Sequence, residues 1–346
     1  MNKNTKKAAI LLIYTGGTIG MRRDASGTLV PFDFNEMSKE IPSVKRLNID
    51  IEVLTMPPID SSNVTPERWM ELAAIIRDNY ARFDGFVVLH GTDTMSYTAS
   101  AMSFILENLA KPVIFTGSQI PMGILRTDGR ENLITALEIA SAKRSDGTPA
   151  VPEVALYFQN RLFRGNRSTK HSAEQLNAFS SFNCAPLAEV GVNITYNYNV
   201  ISHGGDQNQP LRIAERLSQG VVVIKLFPGI GEEILRAILS AEGVRGVVLE
   251  TFGTGNAPTN PHFIATLGQA IARGITVVNV TQCARGSVAM DLYETGVGLQ
   301  SIGVISGRDM TTEAAVAKLM YVLGKERPAE ETRRMMSESI KGEFTS

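Results

Sequence analysis

The sequence predicts an α/β protein built from two doubly wound domains. Short apolar runs alternate with helical segments along most of the 346 residues, which is the pattern of a parallel sheet covered by helices. The runs at residues 10–13, 86–89 and 113–115 are apolar throughout, as strands buried on both faces are. The chain is also longer than one hydrophobic core usually supports, so we expect two domains.

The first domain is predicted to span residues 1–200 and to hold the larger, flavodoxin-like parallel sheet. Thr65-Pro66 marks a helix start, because a hydroxyl caps the first turn and proline suits its first position. Residues 21–48 are polar and interrupted, which predicts a loop that closes over a ligand. The remaining runs predict strands at 10–13, 49–54, 86–89, 113–115 and 154–158, and helices at 65–80, 96–109 and 132–142.

The composition changes to a turn-rich polar stretch near residues 196–210, so a linker is predicted at residues 201–215. Residues 216–346 then form a smaller C-terminal α/β domain. Its predicted strands lie at 221–224, 247–249 and 276–280, and its predicted helices at 232–241, 261–273 and 312–323.

Charge and cysteine content exclude several classes of protein. The formal net charge of −1 gives no electrostatic footprint for nucleic acid or an anionic membrane. Two cysteines, Cys184 and Cys283, fit a reducing compartment. The lysines before residue 10 resemble a signal peptide, but no small-residue cleavage site follows, so the prediction is cytoplasmic. No metal and no cofactor are predicted, because ligand spacing is absent around His90, His171, His203 and His262.

Hydroxyl-rich turns follow the predicted strands of the first domain. Since the carboxyl ends of parallel strands meet at one edge of a sheet, these turns should lie together and hold a small polar substrate. Backbone N–H groups at the helix starts there suit an oxyanion. The turns are Thr15-Gly16-Gly17, Asp60-Ser61-Ser62, Gly91-Thr92-Asp93-Thr94 and Thr116-Gly117-Ser118.

Each of these residues alone also has a structural explanation. Thr15 and Asp93 suit helix caps, and Ser61 suits a turn. Lys170 alone suits the solvated surface, and His90 suits a satisfied position in the core. The Gly-rich turn after residue 13 could also hold a phosphate, although neither the Walker pattern nor G-x-G-x-x-G is present.

Longer motifs carry a resemblance to a known family. Residues 15–20, Thr-Gly-Gly-Thr-Ile-Gly, and residues 90–95, His-Gly-Thr-Asp-Thr-Met, resemble the two signature motifs of bacterial-type L-asparaginases. The resemblance continues through residues 60–62, 116–119, 164–170 and 253–258, and covers essentially the whole chain. The absence of a signal peptide and the Asp-Ser-Ser loop indicate the type I, cytoplasmic branch.

The resemblance implies a role for each matching residue. Thr15 is the expected nucleophile for the side-chain amide of L-asparagine, with minor activity on glutamine. Thr92, Lys170 and Asp93 are expected to form a second triad that moves protons and activates water. Main-chain N–H groups near Thr92 and Ser118 are expected to stabilise the oxyanion. The expected substrate-binding set is Asp60, Ser61, Ser62, Thr92, Asp93 and Ser118.

A threonine hydroxyl needs a base to become a good nucleophile. Lys170 can serve if its pKa is lowered, whereas pairing with Asp93 favours its charged form, so the base stays open. The secreted branch of the family carries a tyrosine in the loop after the nucleophile, and residues 21–30 contain none. The resemblance implies a homodimer or homotetramer with sites at the subunit interface. As a hypothesis for what assists Thr15 in place of that tyrosine, Tyr293 comes from a neighbouring chain, and Asn256 is a second candidate from that chain.

Two other functions remain open. A glutamyl-tRNA amidotransferase subunit shares the resemblance, but it is expected to carry a further domain before the Thr-Gly-Gly motif, and 14 residues precede Thr15 here. A non-catalytic amino-acid sensor would retain the pocket without turnover. Ammonia release separates the sensor from the hydrolase, and a thermal shift with nucleotides tests the phosphate-binding alternative.

Overall fold

The computed structural model describes residues 7–23, 27, 29–31, 42–291 and 294–345. These residues form two compact units. The first contains the chain up to Ser181 together with Ala185–Ile213, and the second contains Phe182–Cys184 and the chain from Ala214. The sequence predicted a first domain that ends at residue 200, a second that begins at residue 216 and a linker between them. These boundaries stay a prediction.

The first unit contains fourteen described strands and three described α-helices. The strands are β1 Ala8–Tyr14, β2 Met21–Arg23, β3 Leu29–Pro31, β4 Ile49–Thr55, β5 Gly85–Leu89, β6 Leu106–Glu107, β7 Val113–Thr116, β8 Val154–Phe158, β9 Arg161–Arg164, β10 Thr169–Lys170, β11 Phe179–Ser180, β12 Ala188–Val190, β13 Ile194–Tyr196 and β14 Arg212–Ile213. The helices are α1 Pro66–Asn79, α2 Met95–Ile105 and α3 Gly129–Ser141.

The main sheet of this unit has eight strands in the order β13-β12-β9-β8-β7-β5-β1-β4. From β4 to β8 all neighbours are parallel, and the register aligns Tyr14 with Leu89 and Leu89 with Thr116. The residues that follow these three strand ends therefore emerge at one edge. This parallel, helix-covered sheet confirms the predicted fold class, and β9, β12 and β13 extend it with antiparallel pairs.

Strand β1 lies inside the sheet, between β5 and the edge strand β4, and its residues suit burial on both faces. Residues 10–13 are fully buried. Ile10 and Leu12 face a core that includes Leu133 and Leu137 of α3, while α1 and α2 pack against each other elsewhere in the unit. Alternate side chains of one apolar strand thus contribute to different layers, as a doubly wound sheet requires.

One predicted helix is too long. The sequence predicts a helix over residues 96–109, whereas α2 ends at Ile105 and Leu106–Glu107 turn into strand β6. β6 pairs antiparallel with β14, whose residues lie inside the predicted linker. Apolar residues such as Leu106 fit either a buried helix or a buried strand, so local pattern alone did not mark the change.

The second unit has a four-stranded parallel sheet in the order β15 Val221–Lys225, β16 Gly246–Thr251, β17 Thr276–Thr281 and β18 Ile305–Ser306. Its helices are α4 Glu232–Ser240, α5 Pro261–Ala272, α6 Glu294–Ser301, α7 Thr312–Gly324 and α8 Ala329–Ser337. This confirms the smaller α/β domain and adds α6, α8 and β18 to the predicted elements. Across the described ranges, no helix is both long and apolar enough to cross a membrane.

A buried ion pair joins the C-terminal segment of the second unit to helix α7. Lys318 of α7 and Glu343 are both fully buried, and Lys318 Nζ lies 2.6 Å from Glu343 Oε1. Lys318 Nζ also donates to the carbonyl oxygens of Met336 and Glu338. The charge of each partner is therefore compensated only while residues near 343 stay in place.

We expect Glu343→Gln to lower the free energy of unfolding by about 3–5 kcal/mol, because it leaves a buried ammonium without its counter-charge. Urea denaturation measures the loss. Glu338→Gln is the control, since its carboxylate pairs with Arg334 at 3.5 Å on the surface with both side chains about 60% exposed, and surface pairs contribute about 0–1 kcal/mol. Equal losses in the two variants would contradict the assignment of the buried pair.

Candidate active site

Thr15 lies directly after β1, where two glycines turn the chain. Gly16 and Gly17 have φ of 125° and 89°, and a Cβ on Gly17 would lie 2.5 Å from the Gly91 backbone. Only glycine fits both the positive φ and this close approach. Thr15 is buried, and its N–H and Oγ1 both donate to the Leu89 carbonyl oxygen at 3.0 and 2.9 Å. The turns after β1 and β5 are therefore in direct contact.

The turn after β5 brings Thr92, Asp93 and Lys170 together. Lys170 Nζ donates to Thr92 Oγ1 at 2.8 Å and to Asp93 Oδ1 at 2.6 Å. The Lys170 side chain is 16% exposed and that of Asp93 is 66% exposed, so the ion pair reaches the protein surface at Asp93. The three side chains predicted as a second triad thus form one hydrogen-bonded cluster.

Lys170 reaches this cluster from outside the main sheet. It lies on β10, which pairs antiparallel with β11 so that Lys170 is opposite Phe179. The Phe179 ring packs on that of Phe158 in β8, with 4.9 Å between ring centroids. The short hairpin is therefore fastened to the main sheet by an aromatic contact behind the lysine.

Gln119 is a site residue to which the sequence assigned no role. Thr92 Oγ1 donates to Gln119 Oε1 at 3.0 Å, and Gln119 Nε2 donates to the carbonyl oxygens of Ala173 and Gln175 at 3.4 and 3.2 Å. The signal that could have found it is its place directly after Ser118, inside a motif that already carried the resemblance. Gln119 links the Thr92 hydroxyl to the loop of the β10–β11 hairpin.

Ser118 presents a buried hydroxyl to the site. The residue is 2% exposed, and its Oγ has no hydrogen-bond partner within the described residues. The chain after it is held by Asp128, whose carboxylate accepts from the backbone N–H groups of Gln119 and Ile120, both at 3.0 Å. A buried hydroxyl without a partner is what a polar ligand would satisfy.

Asp60, Ser61 and Ser62 form the turn after β4. Asp60 is exposed, and its Oδ1 accepts from Ser62 Oγ at 2.6 Å and from Ser62 N at 2.8 Å. Those two bonds, the side-chain one first, lower the pKa of Asp60, which keeps a carboxylate available for an ammonium group. Ser61 is buried, and its carbonyl oxygen accepts from Thr94 Oγ1 at 2.7 Å.

His90 is a satisfied core histidine, as one of the sequence interpretations expected. Its Nδ1 lies 2.7 Å from the Gly91 carbonyl oxygen and its Nε2 lies 3.0 Å from Thr98 Oγ1. Because a carbonyl can only accept, Nδ1 carries the proton and Nε2 accepts from Thr98. Burial lowers the pKa of His90 to about 4, so the ring is neutral at pH 7.

Because His90 charges more readily in the unfolded chain, its burial should weaken the fold in acid. The penalty is absent above the ordinary pKa of 6.5 and grows as the pH falls towards 4. We expect wild type to lose about 3 kcal/mol more than His90→Asn between pH 7 and pH 4. Urea denaturation at several pH values measures the difference, and parallel curves for the two proteins would contradict it.

The two residues predicted to come from a neighbouring chain lie in the second half of the sequence. Asn256 is in the second unit, where its Oδ1 accepts from Thr295 Oγ1 at 2.7 Å. Tyr293 lies outside the described residues, as does half of the predicted loop over residues 21–48. In the part of the chain that is described, no group of three or more His, Cys, Asp or Glu side chains is placed to hold a metal ion.

Two family models match this chain. One is described as asparaginase, N-terminal, and matches residues 9–202; the other is described as glutaminase/asparaginase C-terminal domain and matches residues 220–336. The chain belongs to the asparaginase family. The predicted family is thereby confirmed, and the matches extend over both α/β units.

Asparaginases of known name are similar over the whole chain. L-asparaginase 1 of Escherichia coli (strain K12) is 44% identical over 344 residues, which are 98% of this chain and 99% of that one. The crystal structure of L-asparaginase I from Vibrio cholerae is 43% identical, with a TM-score of 0.89 over 98% of this chain and 100% of the other. A probable cytoplasmic L-asparaginase from Campylobacter jejuni is 25% identical, with a TM-score of 0.80 over 96% and 100%.

Proposed function

We propose that this asparaginase-family protein hydrolyses L-asparagine to L-aspartate and ammonia through a covalent intermediate on Thr15. The observation that carries the proposal is the cluster of Thr92, Asp93 and Lys170 beside the strand end that presents Thr15. Whole-chain similarity to L-asparaginase 1 supports the substrate. An acyl-enzyme divides one difficult amide hydrolysis into two easier displacements.

In the first displacement, Thr15 Oγ1 attacks the side-chain carbonyl carbon of asparagine. The oxyanion that forms is stabilised by backbone N–H groups at Thr92 and Ser118, which lie where parallel strands end. When the C–N bond breaks, the proton from the Thr15 hydroxyl leaves with the amine as ammonia. Aspartate remains bound to Thr15 as an ester.

In the second displacement, water attacks the ester and restores the Thr15 hydroxyl. Thr92, Lys170 and Asp93 accept and transfer the proton of that water. The hydrogen bonds from Lys170 to Thr92 and to Asp93 support this role. The carboxylates of Asp60 and Asp93 suit the substrate α-ammonium group, and the hydroxyls of Ser61 and Ser62 suit its α-carboxylate. Because no step needs a metal or a redox group, the site residues suffice for the proposed chemistry.

Ammonia release from L-asparagine by the purified full chain is the direct test. We expect turnover with asparagine and slower turnover with glutamine, without added tRNA, nucleotide or metal. Binding of asparagine without ammonia release would refute the hydrolase in favour of the amino-acid sensor. Turnover that appears only when charged tRNA is added would instead favour the amidotransferase subunit.

We further propose that the enzyme acts in the cytoplasm as a homodimer or homotetramer in which Asn256 and Tyr293 complete the site of a neighbouring chain. Symmetric assembly is the common arrangement for homo-oligomers. Mixing Thr15→Ala with Tyr293→Phe tests sharing, provided that each variant is nearly inactive alone. Recovered activity would support shared sites; no recovery, with an active monomer by light scattering, would refute them.

A further inference from the structure

A chain of three buried side chains ends at the active-site turn after β5. Trp69 Nε1 of α1 donates to Thr98 Oγ1 of α2 at 2.9 Å. Thr98 Oγ1 lies 3.0 Å from His90 Nε2, and His90 Nδ1 lies 2.7 Å from the Gly91 carbonyl oxygen. Trp69 is 7%, Thr98 1% and His90 2% exposed. We call this chain of bonds, from Trp69 to Gly91, the relay.

The donors and acceptors of the relay fit a single arrangement of protons. Trp69 Nε1 can only donate, so Thr98 Oγ1 accepts there and gives its own proton to His90 Nε2. His90 Nδ1–H is then the donor to the Gly91 carbonyl. Because each polar atom is buried, breaking any one of these bonds would leave a neighbour unpaired, which holds the imidazole in one orientation and one tautomer.

The last bond of the relay, from His90 Nδ1 to the Gly91 carbonyl oxygen, fixes the orientation of the peptide plane between Gly91 and Thr92. The described chain contains no cis peptide bond, so the Gly91 carbonyl and the Thr92 N–H point in opposite directions. With the carbonyl held against His90 in the core, the Thr92 N–H points away from the core. Within the described residues that N–H has no hydrogen-bond partner.

The relay also lies behind the proposed nucleophile. Trp69, Thr98 and His90 line one small cavity together with Thr15. His90 directly follows Leu89, whose carbonyl oxygen accepts from both polar groups of Thr15. The same three side chains therefore support the two neighbouring strand ends where the proposed chemistry takes place.

We propose that His90, held by Thr98 and Trp69, is a positioning residue that aims the Thr92 backbone N–H at the oxyanion of the reaction. The inference rests on the proposed function, since it concerns the oxyanion of amide hydrolysis. His90 does not touch the substrate or move its protons. Its part is to keep one donor of the oxyanion site from rotating with its peptide plane.

The test compares variants that remove the relay with one that restores its last donor. Loss of an oxyanion donor lowers kcat by about 100- to 1000-fold in other hydrolases. We expect His90→Leu to lower kcat by roughly 100-fold with KM changed by less than about threefold. His90→Asn keeps an N–H near the position of Nδ1, so it should recover to within about tenfold of wild type.

Thr98→Val keeps the shape of the side chain and removes both of its relay bonds. It should lower kcat by about tenfold, and it keeps the proposal testable if His90→Leu fails to fold. Ser103→Ala is the matched control. It removes another buried hydroxyl of α2, one that donates to the Ala99 carbonyl at 2.9 Å outside the relay, and it should leave kcat unchanged.

A second readout does not depend on turnover. In ¹⁵N-histidine-labelled wild type, His90 should appear as the neutral tautomer protonated at Nδ1, and Thr98→Val should shift its Nε2 resonance. Wild type without asparagine hydrolysis would refute the proposed function before any variant is compared. An active wild type with normal kcat in His90→Leu or Thr98→Val, or an equal loss in Ser103→Ala, would overturn the positioning role.

Discussion

Thr15→Ala should abolish asparagine hydrolysis while the protein stays folded. Removal of the nucleophile from a covalent hydrolase lowers kcat by about 10⁴-fold or more. The fold should survive because the Leu89 carbonyl oxygen still accepts from the residue 15 N–H, which lies 3.0 Å away. No buried acceptor is left without a partner, so circular dichroism and the melting temperature should match those of wild type within about 2 °C.

Thr116→Ala is the matched control for this result. Thr116 ends the neighbouring strand β7, is fully buried, and donates its hydroxyl to the Tyr157 carbonyl oxygen at 2.9 Å. The Thr116→Ala variant therefore loses a hydroxyl-to-carbonyl hydrogen bond at a strand end, as Thr15→Ala does, but keeps the proposed nucleophile. We expect kcat within about tenfold of wild type. If Thr15→Ala hydrolysed asparagine at a rate near that of wild type, the assignment of Thr15 as the nucleophile would be refuted, whatever the control shows.

Thr92→Val and Lys170→Met should each lower kcat by about 10³-fold, and the double variant should be little worse than either single one. The reason is that Lys170 Nζ bonds both Thr92 Oγ1 and Asp93 Oδ1, so each change breaks the same cluster. Groups that act as one unit are strongly non-additive.

Steady-state kcat and KM of the four proteins complete this double-mutant cycle. Because both residues are only partly buried, a large change in melting temperature is not expected. Lys143→Met is a suitable control for loss of a lysine, as Lys143 Nζ lies 3.4 Å from Asp84 at a partly exposed position elsewhere in the unit. Fully additive losses would show that Thr92 and Lys170 do not act together.

The sequence predicted best those features that depend on short-range pattern. The continuous apolar run around Ile10 predicts a strand buried on both faces, and Gly16-Gly17 after it predict the turn in which Thr15 lies. Since parallel strands share an edge, the hydroxyl-rich turns were expected to meet, and the contacts between the turns of Thr15, Thr92 and Ser61 follow that geometry.

Features that depend on contacts between distant segments were not predictable in this way. Local pattern alone assigned Lys170 to the solvated surface, and only the family resemblance predicted it in the second triad, because the pairing of β10 with β11 leaves no periodic signal in two-residue strands. The hydrogen bond from Thr92 to Gln119 joins residues 27 positions apart, and the relay bond from Trp69 to Thr98 joins residues 29 positions apart. Hydrogen bonds of this kind depend on tertiary packing, which local sequence pattern does not encode.

Lys170 lies on a short hairpin that packs against the main sheet, and this arrangement limits where residues can be inserted or deleted in the chains of this family. Successive residues of a strand face opposite sides, so one extra residue between Thr169 and Lys170 would turn the amine away from Thr92. An extra residue between Leu176 and Asn177 lies outside both paired strands and leaves their register unchanged. Insertions and deletions should therefore accumulate in the tip of the hairpin. The paired strands β10 and β11 should keep their length, because the Phe179 ring holds them against Phe158 of the main sheet.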